Sequence, residues 1–182
     1  MQVYLAVQDE ERNTVIVRKR EFNRWWRGQL AGEERLVNHA GQWVLPGGGL
    51  APDEPPVQAA IRRFGDETAV DLSGLVDSAT IQESLGYVLV TIRPAPVLKI
   101  VAAINLHVSP NPAYPMVPSC MRVRDWEIQS AKLVEVCELG EYLGVPQRVS
   151  EKVRQANHGT KLYSQLIDWY AEMARELLQD AQ

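Results

Sequence analysis

Five charged residues and a glycine run lie close together in the chain, in a pattern suited to holding a divalent cation and a phosphate group. The acids are Glu54, Asp66 and Glu67, the bases are Arg62 and Arg63, and the glycines are Gly47, Gly48 and Gly49. Carboxylate oxygens are preferred ligands of Mg²⁺ and Mn²⁺, and such a cation neutralises diphosphate charge while activating water. Arginine grips phosphate oxygens through a fork of hydrogen bonds. These residue types therefore predict metal-assisted phosphate chemistry.

A helix that follows the glycines is predicted to carry most of these charges. Its apolar stripe, at three- and four-residue steps, consists of Val57, Ala60, Ile61, Phe64 and Thr68. We expect this stripe to be buried, with the bases and acids from Arg62 to Glu67 on the opposite side. Pro56 suits the first helical turn, where a missing N–H costs nothing. The fragment is thus predicted to run strand, glycine loop, helix.

The segment from Gly48 to Val70 resembles the Nudix box. The positions that match the family pattern are Gly48, Glu54, Arg62, Phe64, Glu67 and Val70. Three positions depart from it, since Arg63 and Asp66 stand where the family has glutamate, and Ala69 stands where it has glycine. The box is therefore degenerate. The resemblance implies a fold of the α+β or α/β class, an α/β/α sandwich with a mixed sheet.

The resemblance also implies roles for these residues. The implied metal ligands, which are also implied catalytic residues, are Glu54, Asp66 and Glu67, with Arg62 orienting them. The bound ion would be Mg²⁺ or Mn²⁺, weakly held, because three acids face two arginines here whereas the family box has four acids and one arginine. A general base would come from elsewhere, with Glu83 the first candidate and Asp125 or Glu127 the others.

Arg63 leaves two interpretations open, because an arginine is neither a metal ligand nor a useful base. It binds diphosphate where the family binds metal, or it forms an exposed ion pair with Glu67 one turn on. Gly65 and Ala69 are expected to weaken the helix and its end. The predicted substrate-binding residues are Arg18, Arg20, Trp25, Gly47, Gly48, Arg62 and Arg63.

The segment from Glu21 to Gln42 is predicted to be a long loop that carries Trp25 and Trp26 among several arginines. This mixture suits stacking of a nucleotide base beside phosphate contacts. The alternative is that one tryptophan fills the core and the arginines are ordinary surface residues. Sequence alone weighs the two equally.

Length and composition place limits on the partners. With 182 residues, 46% hydrophobic and 23% charged, the chain is expected to form one domain over 1–182. The net charge of −4 argues against a nucleic acid duplex, and no apolar run approaches the roughly 20 residues that span a bilayer. Two cysteines and no signal peptide favour a cytoplasmic protein.

Other elements follow from hydrophobic periodicity. Strands are predicted over 2–8, 14–19, 43–45, 88–93, 98–108 and 133–137, with a short helix over 138–143. Residues 145–182 form a helical extension, whose amphipathic helix over 161–179 either packs on the domain or forms a homodimer surface.

The sequence thus predicts a metal-dependent hydrolase of a nucleoside-diphosphate-linked small molecule, with activity weakened by Arg63. The alternatives are an inactive fold that binds a nucleotide as a sensor or regulator, and a protein that binds another protein partner.

Overall fold

The computed structural model describes residues 1–75, 78–156 and 162–180. The strands are β1 (Gln2–Val7), β2 (Thr14–Lys19), β3 (Phe22–Trp26), β4 (Gln29–Leu36), β5 (Trp43–Val44), β6 (Gly47–Gly49), β7 (Ala79–Glu83), β8 (Tyr87–Ile92) and β9 (Ile128–Val134). The helices are α1 (Pro56–Thr68), α2 (Val97–Val108), α3 (Leu139–Tyr142), α4 (Glu151–Ala156) and α5 (Leu162–Gln179), with a short 3₁₀ turn at Val136–Glu138. No helix in this described part is long and apolar enough to cross a membrane.

The strands form a mixed sheet, a smaller sheet and a hairpin. The first sheet has the order β6-β1-β8-β7, in which β1 runs parallel to β8 and antiparallel to β6. The second has the order β5-β2-β9. Residues Val3 to Val7 of β1 are all buried, as a strand covered on both faces requires. The expected mixed α+β class is confirmed.

Helix α1 carries the degenerate box and begins as predicted, with Pro56 at its first turn. Its buried residues are Ala59, Ala60, Phe64, Glu67 and Thr68. Val57 and Ile61 of the predicted stripe are only half-buried. The prediction that Glu67 projects outward is wrong, because this residue is buried in the last turn of α1 and contacts Lys19 of β2. Ala69 ends the helix in the left-handed region (φ 57°), where glycine is the usual residue.

Residues 97–108 form helix α2, so the predicted strand over 98–108 is wrong. The run is rich in valine and isoleucine, which favour strands. Its buried residues are nevertheless Val97, Ile100, Ile104 and Val108, at helical spacing, while Leu98 and Leu106 are exposed. The helical period was present in the sequence, and the β-branched composition masked it.

The segment predicted as a long loop contains the hairpin of β3 and β4. Trp26 pairs with Gln29 across a two-residue turn, in which Arg27 and Gly28 both have positive φ. Two left-handed residues give the turn whose twist matches that of a hairpin. Trp25 is buried in this hairpin and belongs to the hydrophobic core, while phosphate binding by the nearby arginines stays a prediction.

Helix α5 packs closely on the sheets. Among its described side chains, which begin at Trp169, the buried ones are Tyr170, Met173, Ala174 and Leu177. Tyr170 contacts Tyr4 of β1, with ring centroids 5.3 Å apart. A β-carbon on Gly144 would lie 2.6 Å from the β-carbon of Ala171, so the loop after α3 approaches α5 more closely than a side chain permits. The described side chains of α5 thus pack against the rest of the chain, and a homodimer surface on this helix stays a prediction.

Candidate functional site

Strand β2 and helix α1 bring a lysine and a box acid together in the interior. Lys19 ends β2 on the same face as the buried Val15 and Val17, since side chains alternate along a strand. Its ammonium lies 2.6 Å from Oε1 of Glu67, in the last turn of α1. Lys19 is 4% exposed and Glu67 is 5% exposed, so water does not screen this ion pair.

A second carboxylate completes this centre. Glu127 lies just before β9, and its Oε2 is 2.8 Å from the Lys19 ammonium. The backbone N–H of Arg20 donates to the Glu127 carbonyl at 2.7 Å, which fixes this residue beside β2. The other Glu67 oxygen, Oε2, is buried without a hydrogen-bond partner. One ammonium therefore faces a buried carboxylate and a partly buried one, an arrangement that we call the Lys19 centre.

The charges of the Lys19 centre shift its proton equilibria. Burial lowers the pKa of Lys19, but Glu127 and Glu67 more than offset this, so the net shift is upward and the amine stays protonated. Burial raises the pKa of Glu67 to about 7, against the opposing effect of Lys19 and with a further rise from Glu127. This pattern follows from the count of charges, because one ammonium cannot neutralise two carboxylates in a medium of low dielectric constant.

The other two box acids are paired with arginine at the surface. Arg62 donates from Nε and Nη2 to the two oxygens of Glu54, both at 2.7 Å. Its Nη1 lies 3.6 Å from Asp66, which also lies 3.7 Å from Arg124. The hydrogen bond from Arg62 lowers the pKa of Glu54 to about 2. The expectation that Arg62 contacts the box acids thus agrees with the geometry.

The box acids do not fit the divalent cation that the resemblance implies. Each acid already has a cationic partner from this chain: Arg62 for Glu54 and Asp66, and Lys19 for Glu67. Within the described ranges, no three or more histidine, cysteine, aspartate or glutamate side chains come together in a way that could hold a metal ion. No chemical step is therefore assigned to Mg²⁺ or Mn²⁺ here.

Arg63 lies over the glycine loop. Its Nε donates to the carbonyl of Gly49 at 3.1 Å, and a β-carbon on Gly48 would lie 3.1 Å from that nitrogen. The expected ion pair with Glu67 is absent between these two described residues, because Glu67 turns inward to Lys19. Glu83, the candidate base, is exposed at the end of β7. Among the described residues it forms no ion pair with the box side chains.

A cationic cavity lies away from the box. Its volume is about 320 Å³, and it is lined by Arg18, Arg20, Glu21, Phe22, Gly41 and Gln129. The Nε atoms of Arg18 and Arg20 are both buried without a hydrogen-bond partner. The Arg20 guanidinium also lies 3.8 Å from the ring centre of Trp126. Of the predicted substrate-binding residues, Arg18 and Arg20 thus line this cavity, whereas Gly47, Gly48, Arg62 and Arg63 lie in the glycine loop and the box.

Trp25 belongs to neither group. Its indole N–H donates to the Val123 carbonyl at 2.6 Å, and the side chain is 4% exposed. A nucleotide base therefore has no access to its faces. The residue ties the hairpin to the loop before β9.

His39 lies at the edge of the Lys19 centre, edge-on to Tyr170 at a centroid distance of 5.4 Å. Burial, with a smaller effect of the Lys19 ammonium, lowers the pKa of His39 from 6.5 to about 4. The unfolded chain therefore takes up the proton first as the pH falls. The stability from neutral His39 is fully present above pH 6.5 and is lost as the pH falls towards 4.

The variant His39→Asn should consequently lose less stability between pH 7 and pH 4 than the unaltered protein. Asparagine tolerates the positive φ of this position (59°) and does not titrate. Urea unfolding at a series of pH values measures the difference. Parallel pH profiles for the two proteins would refute this role of His39.

Sequence reasoning did not identify Lys19 or Tyr170 as part of the site, and it named Glu127 only as a candidate base. A signal for Lys19 was present, because it follows Val15 and Val17 at alternate positions of β2 and so shares the face of these apolar residues. The helical period places Tyr170 on the apolar face of the predicted C-terminal helix, but only the docking of α5 brings it to the site.

The family model described as NUDIX domain matches residues 3–149, which is more than half of the chain. No curated protein matches it at a significant level.

Three solved structures illustrate its structural neighbours. A MutT structure from work on Aliivibrio salmonicida and Vibrio cholerae is 12% identical and covers 98% of this chain and 96% of that chain, with a TM-score of 0.46. An ADP-ribose pyrophosphatase from Streptococcus suis is 12% identical and covers 100% of this chain and 90% of that chain, with a TM-score of 0.46. An Ap4A hydrolase from C. elegans is 15% identical and covers 99% of this chain and 94% of that chain, with a TM-score of 0.41.

Proposed function

Because this chain belongs to the NUDIX domain family, we propose that it binds a phosphate-bearing, nucleotide-like small molecule without cleaving it by a metal-dependent route. The observation that carries this proposal is the pairing of the box acids. Glu54, Asp66 and Glu67 each face a cationic side chain of the chain itself. A carboxylate beside an ammonium or a guanidinium attracts a second cation less strongly, because the first cation repels it.

The burial of the Lys19 centre supports the same conclusion. Lys19 and Glu67 are each at most 5% exposed, so a substrate phosphate does not reach them from solvent. A group that activates water for attack on a diphosphate has to lie within hydrogen-bond reach of that water. Glu67 meets this requirement only after Lys19, and the parts of the chain that cover this ion pair, move away.

We place the ligand in the cavity of Arg18 and Arg20. Two guanidinium groups beside a 320 Å³ cavity suit an anion, because each guanidinium carries several N–H donors for phosphate oxygens. Phe22 also lines the cavity, and since the Lys152 ammonium lies 4.2 Å from its ring centre, the opposite face is the one that would take a base or another flat group. The net charge of −4 favours such a small ligand over a nucleic acid duplex or a membrane surface.

Calorimetric titration with ADP-ribose, a dinucleoside polyphosphate and inorganic pyrophosphate tests this function. Arg18→Met and Arg20→Met should each weaken binding roughly tenfold or more, since a hydrogen bond to a charged group contributes about 1.5–3 kcal/mol. Arg35→Met, which removes an exposed arginine on β4, should change the affinity less than about twofold.

Metal-dependent hydrolysis, the activity implied by the box resemblance, is tested on the same ligands. We expect no release of a monophosphate with Mg²⁺ or Mn²⁺. Turnover that requires the metal and disappears in Glu67→Gln would overturn the proposal, as would the lack of binding to every ligand at millimolar concentration.

A further inference from the structure

The Lys19 centre contains two carboxylates that are held on different parts of the chain and share one cation. Glu67 comes from the end of α1, and Glu127 comes from the loop before β9. Backbone hydrogen bonds from Arg124 and Asp125 to the Asp66 carbonyl, at 2.8 and 3.2 Å, fasten that loop to the helix end. The carboxylates are therefore brought together by the fold and not by the lysine alone.

The carboxylate oxygens around the Lys19 ammonium form an incomplete cation shell. Lys19 hydrogen-bonds to one oxygen of Glu67 and one oxygen of Glu127, while Oε2 of Glu67 is buried without a partner. Carboxylate oxygens are the preferred ligands of hard divalent cations. A lysine ammonium is a compact point charge and can occupy the same position, although it carries one positive charge instead of two.

We infer that the Lys19 ammonium is a built-in cation that excludes divalent metals from the pair formed by Glu67 and Glu127. Replacing the ammonium by an uncharged group converts this pair into a site for a hard divalent cation. The chain thus has a latent metal site that Lys19 closes. The inference concerns the box interior and does not depend on ligand binding in the cavity of Arg18 and Arg20.

Two features show why Lys19 is not easily displaced by a metal ion. The side chain is enclosed, with 4% exposure, so the ammonium does not swing into water when a cation approaches. Expelling a buried ammonium would leave its pair of carboxylates bare during the exchange.

Mn²⁺ binding to the unaltered protein and to Lys19→Met, measured by electron paramagnetic resonance and calorimetry without nucleotide, tests the inference. The unaltered protein should show no binding at this site at millimolar Mn²⁺, and its melting temperature should be the same with and without a chelator. Lys19→Met should bind Mn²⁺ at least about a hundredfold more tightly. Saturating Mn²⁺ should raise its melting temperature by roughly 5 °C or more.

Two further variants make the result specific. Lys132→Met removes another partly buried lysine, which lies over the rings of Trp43 and Tyr142, and should gain no Mn²⁺ site. Adding Glu67→Gln to Lys19→Met should abolish the gained site. If Lys19→Met does not fold in metal-free buffer, refolding with and without Mn²⁺ gives the same comparison, and recovery only with Mn²⁺ supports the inference.

Two outcomes would overturn the inference that Lys19 excludes a divalent cation from this pair of carboxylates. One is that the unaltered protein binds Mn²⁺ as tightly as Lys19→Met and loses that binding in Glu67→Gln. The other is that Lys19→Met, folded or refolded, gains no Mn²⁺ affinity. Neither outcome bears on diphosphate binding by Arg18 and Arg20, so the two proposals fail independently.

Discussion

Trp25→Ala should lower the free energy of unfolding by about 3–5 kcal/mol, because the indole is large, buried and surrounded by the core. The substitution also leaves the Val123 carbonyl without the indole N–H that it accepts. Urea unfolding followed by circular dichroism measures the loss. Tyr114→Ala, which removes an aromatic ring that is 71% exposed, serves as the control and should change stability by less than about 0.5 kcal/mol.

Trp25→Phe separates the structural role from the base-stacking role that the sequence suggested. It keeps a ring and removes the N–H, so stability should fall moderately while affinity for ADP-ribose stays unchanged. A variant of normal stability that had lost its ligand affinity would instead support stacking by Trp25.

Gly144→Ala should lower the free energy of unfolding by about 2–4 kcal/mol. Part of this cost is the left-handed backbone (φ 77°), which an alanine adopts at about 1 kcal/mol. The rest comes from overpacking, about 1–3 kcal/mol, because the new β-carbon would lie 2.6 Å from the β-carbon and 2.8 Å from the backbone nitrogen of Ala171.

Gly140→Ala is the matched control for Gly144→Ala. A β-carbon at this position in α3 would meet no atom within 4 Å, and alanine favours a helix over glycine. This variant should be as stable as the unaltered protein or slightly more stable. Equal stability of the two alanine variants would show that α5 does not dock on the loop at Gly144.

The sequence predicted the fold class through the box, and the reasons are local. Pro56 at the helix start, the period of α1 and the glycines before it all concern neighbouring residues. Helix α2 was predicted as a strand because its β-branched composition outweighed a period that was also present. The hairpin of β3 and β4 was missed because its turn depends on a positive φ at Arg27, which is uncommon outside glycine, asparagine and aspartate.

The state of the candidate site was less accessible to sequence reasoning. The charge departure at Arg63 was visible, but the decisive cation comes from Lys19, which is 48 residues away from its partner Glu67. Which acids turn inward depends on how the last turn of α1 packs against the strands. Tertiary packing determines this, and no pattern within the box encodes it.

The order of synthesis gives the Lys19 centre a further consequence. Lys19 and Glu127 are 108 residues apart, so at common translation rates the ribosome adds the glutamate roughly 5 to 20 seconds after the lysine. During that interval β2 ends in a charged group without its second partner, and burying it would be unfavourable. The unpaired charge therefore disfavours early packing of the nascent strand β2 against a non-native partner. Burial of Lys19 in the core is delayed until the loop before β9 has been synthesised.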